Sequence, residues 1–233
     1  MTAVTRTPPT LEHPIRTLPV QTTTNRDAST SNQSQKPKMQ GRIDIANLTQ
    51  NNIGQLRKLN SVLFPVRFGE KWYKDVLKED VKEICKYALF NDIPVGNICC
   101  RFEKSTTKDD SVNVHIMTLG CLAPYRRMGI ATALLEYVLD HAAPGKKVEI
   151  SDSFSDDTTK TAPTKPTAKP STSKKEVKQT KSYTVAKIYL HVQTSNEEAK
   201  VFYEKNGFTE KERVEQYYKT GIEPRSAWLL EKE

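Results

Sequence analysis

The stretch "RRMGIATALLEYVLDH", residues 126–141, decides the fold. Two arginines run into Gly129 and Ala131, and an apolar pattern of helical period starts at once with Leu134, Leu135, Val138 and Leu139. Immediately before it, "SVNVHIMTLGCL" (111–122) alternates as a strand; further on, "AKIYLHVQTS" (186–195) does so again. Strand, helix and strand in that order form a right-handed βαβ unit with parallel strands. Ligands of such α/β sheets bind beyond the carboxyl ends of the strands, which is where Arg126–Ala131 falls. A helix start offers unpaired N–H groups and a positive dipole end. Small residues let an anion approach the backbone, so the turn reads as a diphosphate cradle. A glycine helix start flanked by solvated arginines fits the same residues.

Working outward, "RIDIANL" (42–48) reads as a strand. "TQNNIGQLRKLNSVLF" (49–64) reads as a helix with Ile53, Leu56, Leu59 and Leu63 on one face and Thr49 as cap. "GEKWYKDVLK" (69–78) is a short second helix, and "EICKYALFNDIPVGNICCRFEK" (83–104) a hairpin turning at Asn91-Asp92. After the βαβ unit come the helix "NEEAKVFYEKNGF" (196–208), stopped at Asn206-Gly207, and two strands in "TEKERVEQYY" (209–218) and "SAWLLEK" (226–232).

Two segments stand apart. Residues 1–40 have scattered apolar residues without period and read as a disordered tail; prolines and Glu12 argue against a mitochondrial presequence. A Lys/Pro/Thr-rich run at about 146–183 reads as a disordered insertion into folded sequence, which loop entropy tolerates. The net charge of +8 belongs to them. Five basic against two acidic residues give the tail +3, and nine lysines against five acids give residues 145–186 +4. The remainder is nearly neutral, so the basicity describes two appendages rather than a nucleic-acid-binding core. The four cysteines lack C-x-x-C spacing and read as buried, reduced thiols of an intracellular protein. No apolar run approaches the ~20 residues of a membrane span.

Arg126, Gly129 and Ala131 form R-x-x-G-x-A, which resembles the acetyl-CoA signature of the GNAT superfamily. "LFPVRFGEKWYKDVL", "HIMTLGCLAPYRRMGIAT", "IYLHVQTSNEEAKVFYEKNGF" and "YYK" near "IEP" resemble the NatE-type N-alpha-acetyltransferases more closely, over residues 42–145 and 186–230. The resemblance implies an α/β GNAT acetyltransferase fold over residues 41–233, with a mixed central sheet, splayed parallel strands and flanking helices. It implies acetyl-CoA as cosubstrate, with its diphosphate on Arg126, Arg127, Met128, Gly129, Ile130, Ala131 and Thr132. The backbone of Met117, Thr118 and Leu119 would line the pantetheine, and Asn196 and Tyr203 the thiol end. Acceptor-binding positions carried over are Phe64, Pro65, Val66, Phe68, Tyr217, Tyr218 and Ile222. Phe68 stands where the family often has Tyr, and Thr220-Gly221 adds a residue before Ile222. Tyr217 and Tyr218, consecutive on a strand, would point to opposite faces.

His191 matches the family's catalytic histidine, and His115 stands at its catalytic tyrosine. The pattern of the residues places them independently. Ile188, Leu190 and Val192 share one face of their strand and Val112, Val114 and Ile116 one face of theirs, so both histidines face the other way and can meet. Two histidines without further ligands make no zinc site. The expected activity is acetylation of nascent α-amines, Met-starting with a hydrophobic second residue. A weakly active scaffold subunit of a ribosome-associated N-terminal acetyltransferase complex and a lysine acetyltransferase are the alternatives. The resemblance also implies NatA-type catalytic and auxiliary subunits as partners and a cytoplasmic, ribosome-associated location, with a nuclear pool as a variant. The basic tail and insertion, which lie outside the resemblance, would touch ribosomal RNA or an acidic protein patch, or serve as solvated tethers; no membrane is implied.

Overall fold

The computed structural model describes residues 16–18, 41–106, 110–151, 180–218 and 221–233. They fall into two compact units, Met1–Cys100 with Met117–Leu139, and Arg101–Ile116 with Asp140–Glu233. The boundary runs through two long strands and one helix, so the units do not follow the expected tail, domain and insertion.

The first unit starts with β1 (Arg16–Leu18), which pairs antiparallel with β2 (Ile43–Asn47). This corrects the reading of 1–40 as wholly disordered: three residues without periodicity of their own take strand geometry from an edge that offers unpaired backbone groups. Residues 1–15 and 19–40 lie outside the described residues. β2 pairs with β3 (Cys85–Phe90), and β3 with β4 (Ile93–Lys104), all antiparallel. Every residue of β3 is buried, which suits a central strand. Asn91 and Asp92 take φ of 48° and 66°, the left-handed pair a two-residue hairpin turn needs. The Arg42 backbone N–H donates to Asn91 Oδ1 at 2.9 Å, and its guanidinium to Asp92 Oδ1 at 2.7 Å.

Helix α1 (Ile53–Leu63) buries Leu56 and Leu59, while Ile53 and Leu63 are only partly covered. Its cap is Asn52, not Thr49. The Thr49 N–H donates to Asn52 Oδ1 at 2.8 Å and the Asn52 N–H to Thr49 O at 3.2 Å, so a turn closed on itself uses Thr49 before the helix begins. Helix α2 (Glu70–Asp75) is tied to α1 by Arg57, whose two terminal nitrogens each lie 2.7 Å from a Glu70 oxygen. The end of β5 (Ser111–Cys121) and helix α3 (Ile130–Ala142) as far as Leu139 complete this unit.

In the second unit the strand order is β5, β7 (Thr180–Gln193), β9 (Ala227–Lys232), β8 (Thr209–Val214). β5 and β7 are parallel from Ser111↔Thr184 to His115↔Tyr189; β7–β9 and β9–β8 are antiparallel, so the sheet is mixed. The parallel ladder ends there although β5 runs on to Cys121 and β7 to Gln193. Helix α4 (Glu197–Lys205) opens on Asn196, whose side-chain oxygen accepts from the Ala199 N–H at 3.1 Å, and closes at Gly207 with φ 83°.

Two strand readings change. β6 (Lys147–Ser151) pairs antiparallel with Thr180–Thr184, so both ends of the expected 146–183 insertion are a hairpin stem and β7 starts six residues before Ala186. Ile150 and Tyr183 are buried there, an apolar contribution that the flanking lysines obscure in sequence. Residues 152–179 lie outside the described residues. β8 ends at Val214, where the Glu215-Gln216 turn takes over with Gln216 at φ 54°.

All four cysteines are free and buried. Burial pushes the Cys121 thiol up to about 11 and raises those of Cys99 and Cys100 well above the ordinary thiol range. Among the described residues no helix is long and apolar enough to cross a membrane.

Candidate functional site

Alternation along three strands of the second unit builds its polar face. Val112, Val114, Ile188, Leu190 and Val192 are buried on one side. Asn113, His115, Lys187, Tyr189 and His191 alternate with them and take the other. The rings meet there. His115 stacks on Tyr189 with centroids 4.5 Å apart, and His191 meets His115 edge-on at 5.8 Å. Tyr217 lies flat over His191 at 4.0 Å and touches Tyr218 at 5.0 Å. The two tyrosines are thus neighbours, not residues on opposite faces: both lie past the end of β8, where strand alternation no longer applies. Tyr217 remains 39% exposed, so the stack borders solvent.

β4 contributes Arg101 and Glu103, which the sequence reading missed. Glu103 Oε1 lies 2.5 Å from Arg101 Nη2 and 3.4 Å from His115 Nδ1, and the Tyr189 hydroxyl donates to Oε2. Burial works against the carboxylate, but His115, Tyr189 and Arg101 outweigh it and hold Glu103 at about 2. Burial, helped by the proximity of His115, pulls His191 down to about 4. Burial also raises Tyr217, Tyr218 (to about 12) and Tyr189, which its bond to Glu103 raises further. At neutral pH the face therefore carries a neutral His191, a charged Glu103 and protonated phenols. A cavity of about 230 Å³ beside His191 is lined by Asn113, Lys187, Tyr189, Leu229 and Glu231 as well. The signal for Glu103 was present in "CCRFEK": Cys100 and Phe102 are buried, so Arg101 and Glu103 alternate to the histidine face.

In the first unit the turn before α3 has a different make-up. Arg127 and Gly129 both sit in the left-handed region, at φ 63° and 85°. A Cβ added at Gly129 meets no protein atom within 4 Å, so the space over it is open. Ile130, Ala131 and Thr132 begin the helix, where N–H groups have no partner in the preceding turn. Ile130 is buried and anchors the helix start. Arg126 and Met128 flank the open space; Arg126 turns back, its Nε donating to Cys121 O at 3.3 Å.

The same unit holds Met117, Thr118 and Leu119 at the end of β5, with only Thr118 buried. Thr118 Oγ1 donates to Asn97 Oδ1 at 3.3 Å, and Asn97 Nδ2 to Asn60 Oδ1 at 3.1 Å, a buried polar chain that sequence reading did not anticipate. Phe64 meets Phe68 edge-on at 6.2 Å, and Phe68 stacks on Trp72 at 4.3 Å; Pro65 is exposed and Val66 half-buried. Phe64 lies where it does because Gly120 has no side chain: a Cβ there would come within 2.9 Å of its ring.

Not every carried-over residue is free for a ligand. The Asn196 carbonyl oxygen is used as the α4 cap, and Tyr203 is buried between Phe202 and Phe208. Ile222 is half-buried after Gly221; Thr220 lies outside the described residues. Among the described residues no group of three or more His, Cys, Asp or Glu could hold a metal ion.

The model of the acetyltransferase (GNAT) family matches residues 53–157. The chain is 41% identical over 194 residues to N-alpha-acetyltransferase 50 of Danio rerio, spanning 83% of this chain and 90% of that protein. It is 36% identical over 190 residues to the probable N-acetyltransferase san of Drosophila melanogaster, spanning 82% and 80%. The solved structure of Arabidopsis thaliana Naa50 in complex with the bisubstrate analogue CoA-Ac-MVNAL is similar at 36% identity and a TM-score of 0.59, over 82% of this chain and 98% of that one.

Proposed function

The chain belongs to the GNAT acetyltransferase family as an N-alpha-acetyltransferase of the NatE type, and we propose that His191, aided by His115, takes the proton in its reaction. The enzyme uses acetyl-CoA to acetylate polypeptide N-termini. Its acceptors, in this reading, begin with Met and a hydrophobic residue. The analogue bound to the Arabidopsis relative, MVNAL, begins that way.

The observation that carries the assignment is His191 itself, neutral, half-buried and covered by Tyr217. A substrate α-amine has a pKa of about 7.7–8, so a minor share is unprotonated at neutral pH. A base near 4 faces about 5 kcal/mol of opposition in stripping a resting ammonium near 8. It accepts instead the proton that the nitrogen sheds while being acylated, when that N–H has become far more acidic. Acetyl-CoA supplies the activated acetyl group when bound. The open space over Gly129 and the start of α3 suit its anionic diphosphate. Phe64, Pro65, Val66 and Phe68 remain the acceptor positions assigned in the first unit, and Tyr217, Tyr218 and Ile222 those assigned in the second. Met117, Thr118, Leu119, Asn196 and Tyr203 remain the assigned lining for the coenzyme. Asn196 would use its amide N–H groups, since its oxygen caps α4.

Turnover of the purified full chain on a Met-Leu peptide, in competition with an internal-lysine peptide, tests the function. Preference for the α-amine supports it; preference for lysine would replace it with the ε-amine reading, and binding of acetyl-CoA without turnover with the scaffold reading. Association with NatA-type catalytic and auxiliary subunits and a cytoplasmic, ribosome-associated location belong to the same proposal. Co-sedimentation with ribosomes across a salt series tests them.

A further inference from the structure

We infer that Glu103 is a positioning residue that holds His115 as its Nδ1–H tautomer, leaving the Nε2 lone pair to accept a proton. The inference rests on the reading of His115 as a proton acceptor given above.

His115 is 8% exposed, and its Nδ1 is buried without an aligned hydrogen-bond partner. An imidazole nitrogen in that position is costly if left unmatched. Glu103 Oε1 at 3.4 Å is the carboxylate oxygen within ion-pair reach, a small ring movement short of a hydrogen bond. A carboxylate accepts and does not donate, so it selects the tautomer with the proton on Nδ1. The opposite tautomer would set an Nδ1 lone pair against a negative charge.

The carboxylate is fixed for this task from both sides. Arg101 holds Oε1 at 2.5 Å, and the Tyr189 hydroxyl donates to Oε2. Tyr189 also stacks on the His115 ring, 7° from parallel, so the residue that orients the carboxylate also restrains the imidazole plane. Three elements are thereby involved, β4 through Arg101 and Glu103, β5 through His115, and β7 through Tyr189 and His191, with Tyr217 beyond His191. Glu103 is no proton acceptor of its own, because Arg101 and the Tyr189 hydroxyl already occupy its two oxygens and help keep it ionised. A tyrosine at position 115 would need no such partner to choose a tautomer, which gives the acid a role particular to a histidine there.

The test uses full-length protein labelled with 15N-histidine, whose four imidazoles His13, His115, His141 and His191 are few enough to resolve by long-range 1H–15N correlation. Loss of one signal set in His115→Phe assigns His115. The expected spectrum shows Nδ1 protonated and Nε2 bare, and in Glu103→Ala a shift toward the Nε2–H form common in water. A wild-type His115 protonated on Nε2, or an unchanged tautomer in Glu103→Ala, overturns the inference whatever the activity. Kinetics supply a second reading. Glu103→Ala should lower kcat about tenfold with the acetyl-CoA KM unchanged, and should have little further effect in a His115→Phe background. An equal loss in both backgrounds would mark Glu103 as merely structural and overturn the positioning role. A fixed tautomer that Glu103→Ala releases, in a protein that turns over no amine, would instead sink the function proposed above and leave the tautomer assignment standing.

Discussion

The turn at Arg126–Thr132 and the ring cluster around His191 are built on opposite plans. The turn is local: seven consecutive residues, with two left-handed backbone positions and a helix start, leave open space over the backbone at Gly129. The cluster is nonlocal: Glu103, His115, Tyr189, His191 and Tyr217 come from three strands and a loop and function through side chains packed ring on ring. A backbone site tolerates many side chains but few backbone changes. A side-chain site depends on each ring and on the register that brings the rings together.

The contrast is sharpest if each plan is broken at its centre. His191→Phe should lower kcat by about 100-fold, the low end for proton transfer because its base is held so weak, while acetyl-CoA binding by calorimetry stays unchanged. The pH dependence separates its role from the amine's. With His191 at about 4, kcat/KM should climb to a plateau near the acceptor's pKa of ~8 rather than near 4. A plateau reached by about pH 5 would contradict that order.

Next in size is Gly129→Val. A φ of 85° disfavours a β-branched residue by about 1–2 kcal/mol, and its side chain fills the open space. Acetyl-CoA affinity should fall at least about tenfold while peptide-independent folding, read by circular dichroism, survives. Loss of stability with unchanged affinity would mean the space over Gly129 is not used by the ligand.

Stability against pH distinguishes the regions as well. The folded pKa of His191 lies below its ordinary 6.5, so the unfolded chain binds the extra proton between 6.5 and about 4, and the native state weakens as pH falls through that window. Glu103, held at about 2 against 4.5, withdraws its own contribution as pH falls from 4.5 toward 2. The drop in Tm between about pH 7 and about pH 5 should therefore shrink in His191→Phe and persist in Gly129→Val.

Smaller effects belong to supports. Gly120→Ala pushes against the Phe64 ring, whose shift should raise the peptide KM about threefold, with acetyl-CoA KM unaltered. Arg126→Ala should raise the acetyl-CoA KM only about twofold at low salt and not at high salt, because its guanidinium is exposed and partly engaged by Cys121 O. A large, salt-insensitive effect would show that the turn works through its arginine and not through its backbone.

Sequence alone was enough for the parts whose physics is local. The helical period after Gly129, the left-handed Asn91-Asp92 turn and the Asn206-Gly207 stop depend on neighbours a few residues away, and the structure has each in place. Strict alternation in 112–116 and 188–192 also sufficed to turn both histidines to one face. What tertiary structure decided was everything set by pairing across the chain. Register sets His115 opposite Tyr189 rather than His191, and brings Glu103 from β4 to the imidazole. The early end of β8 lets Tyr217 fold over His191, and an unpaired edge turns Arg16–Leu18 into a strand. The reason is the difference in range. Dihedral preference and periodicity act within one element, whereas a ladder's register minimises the energy of two faces at once, and its outcome is written in neither strand by itself.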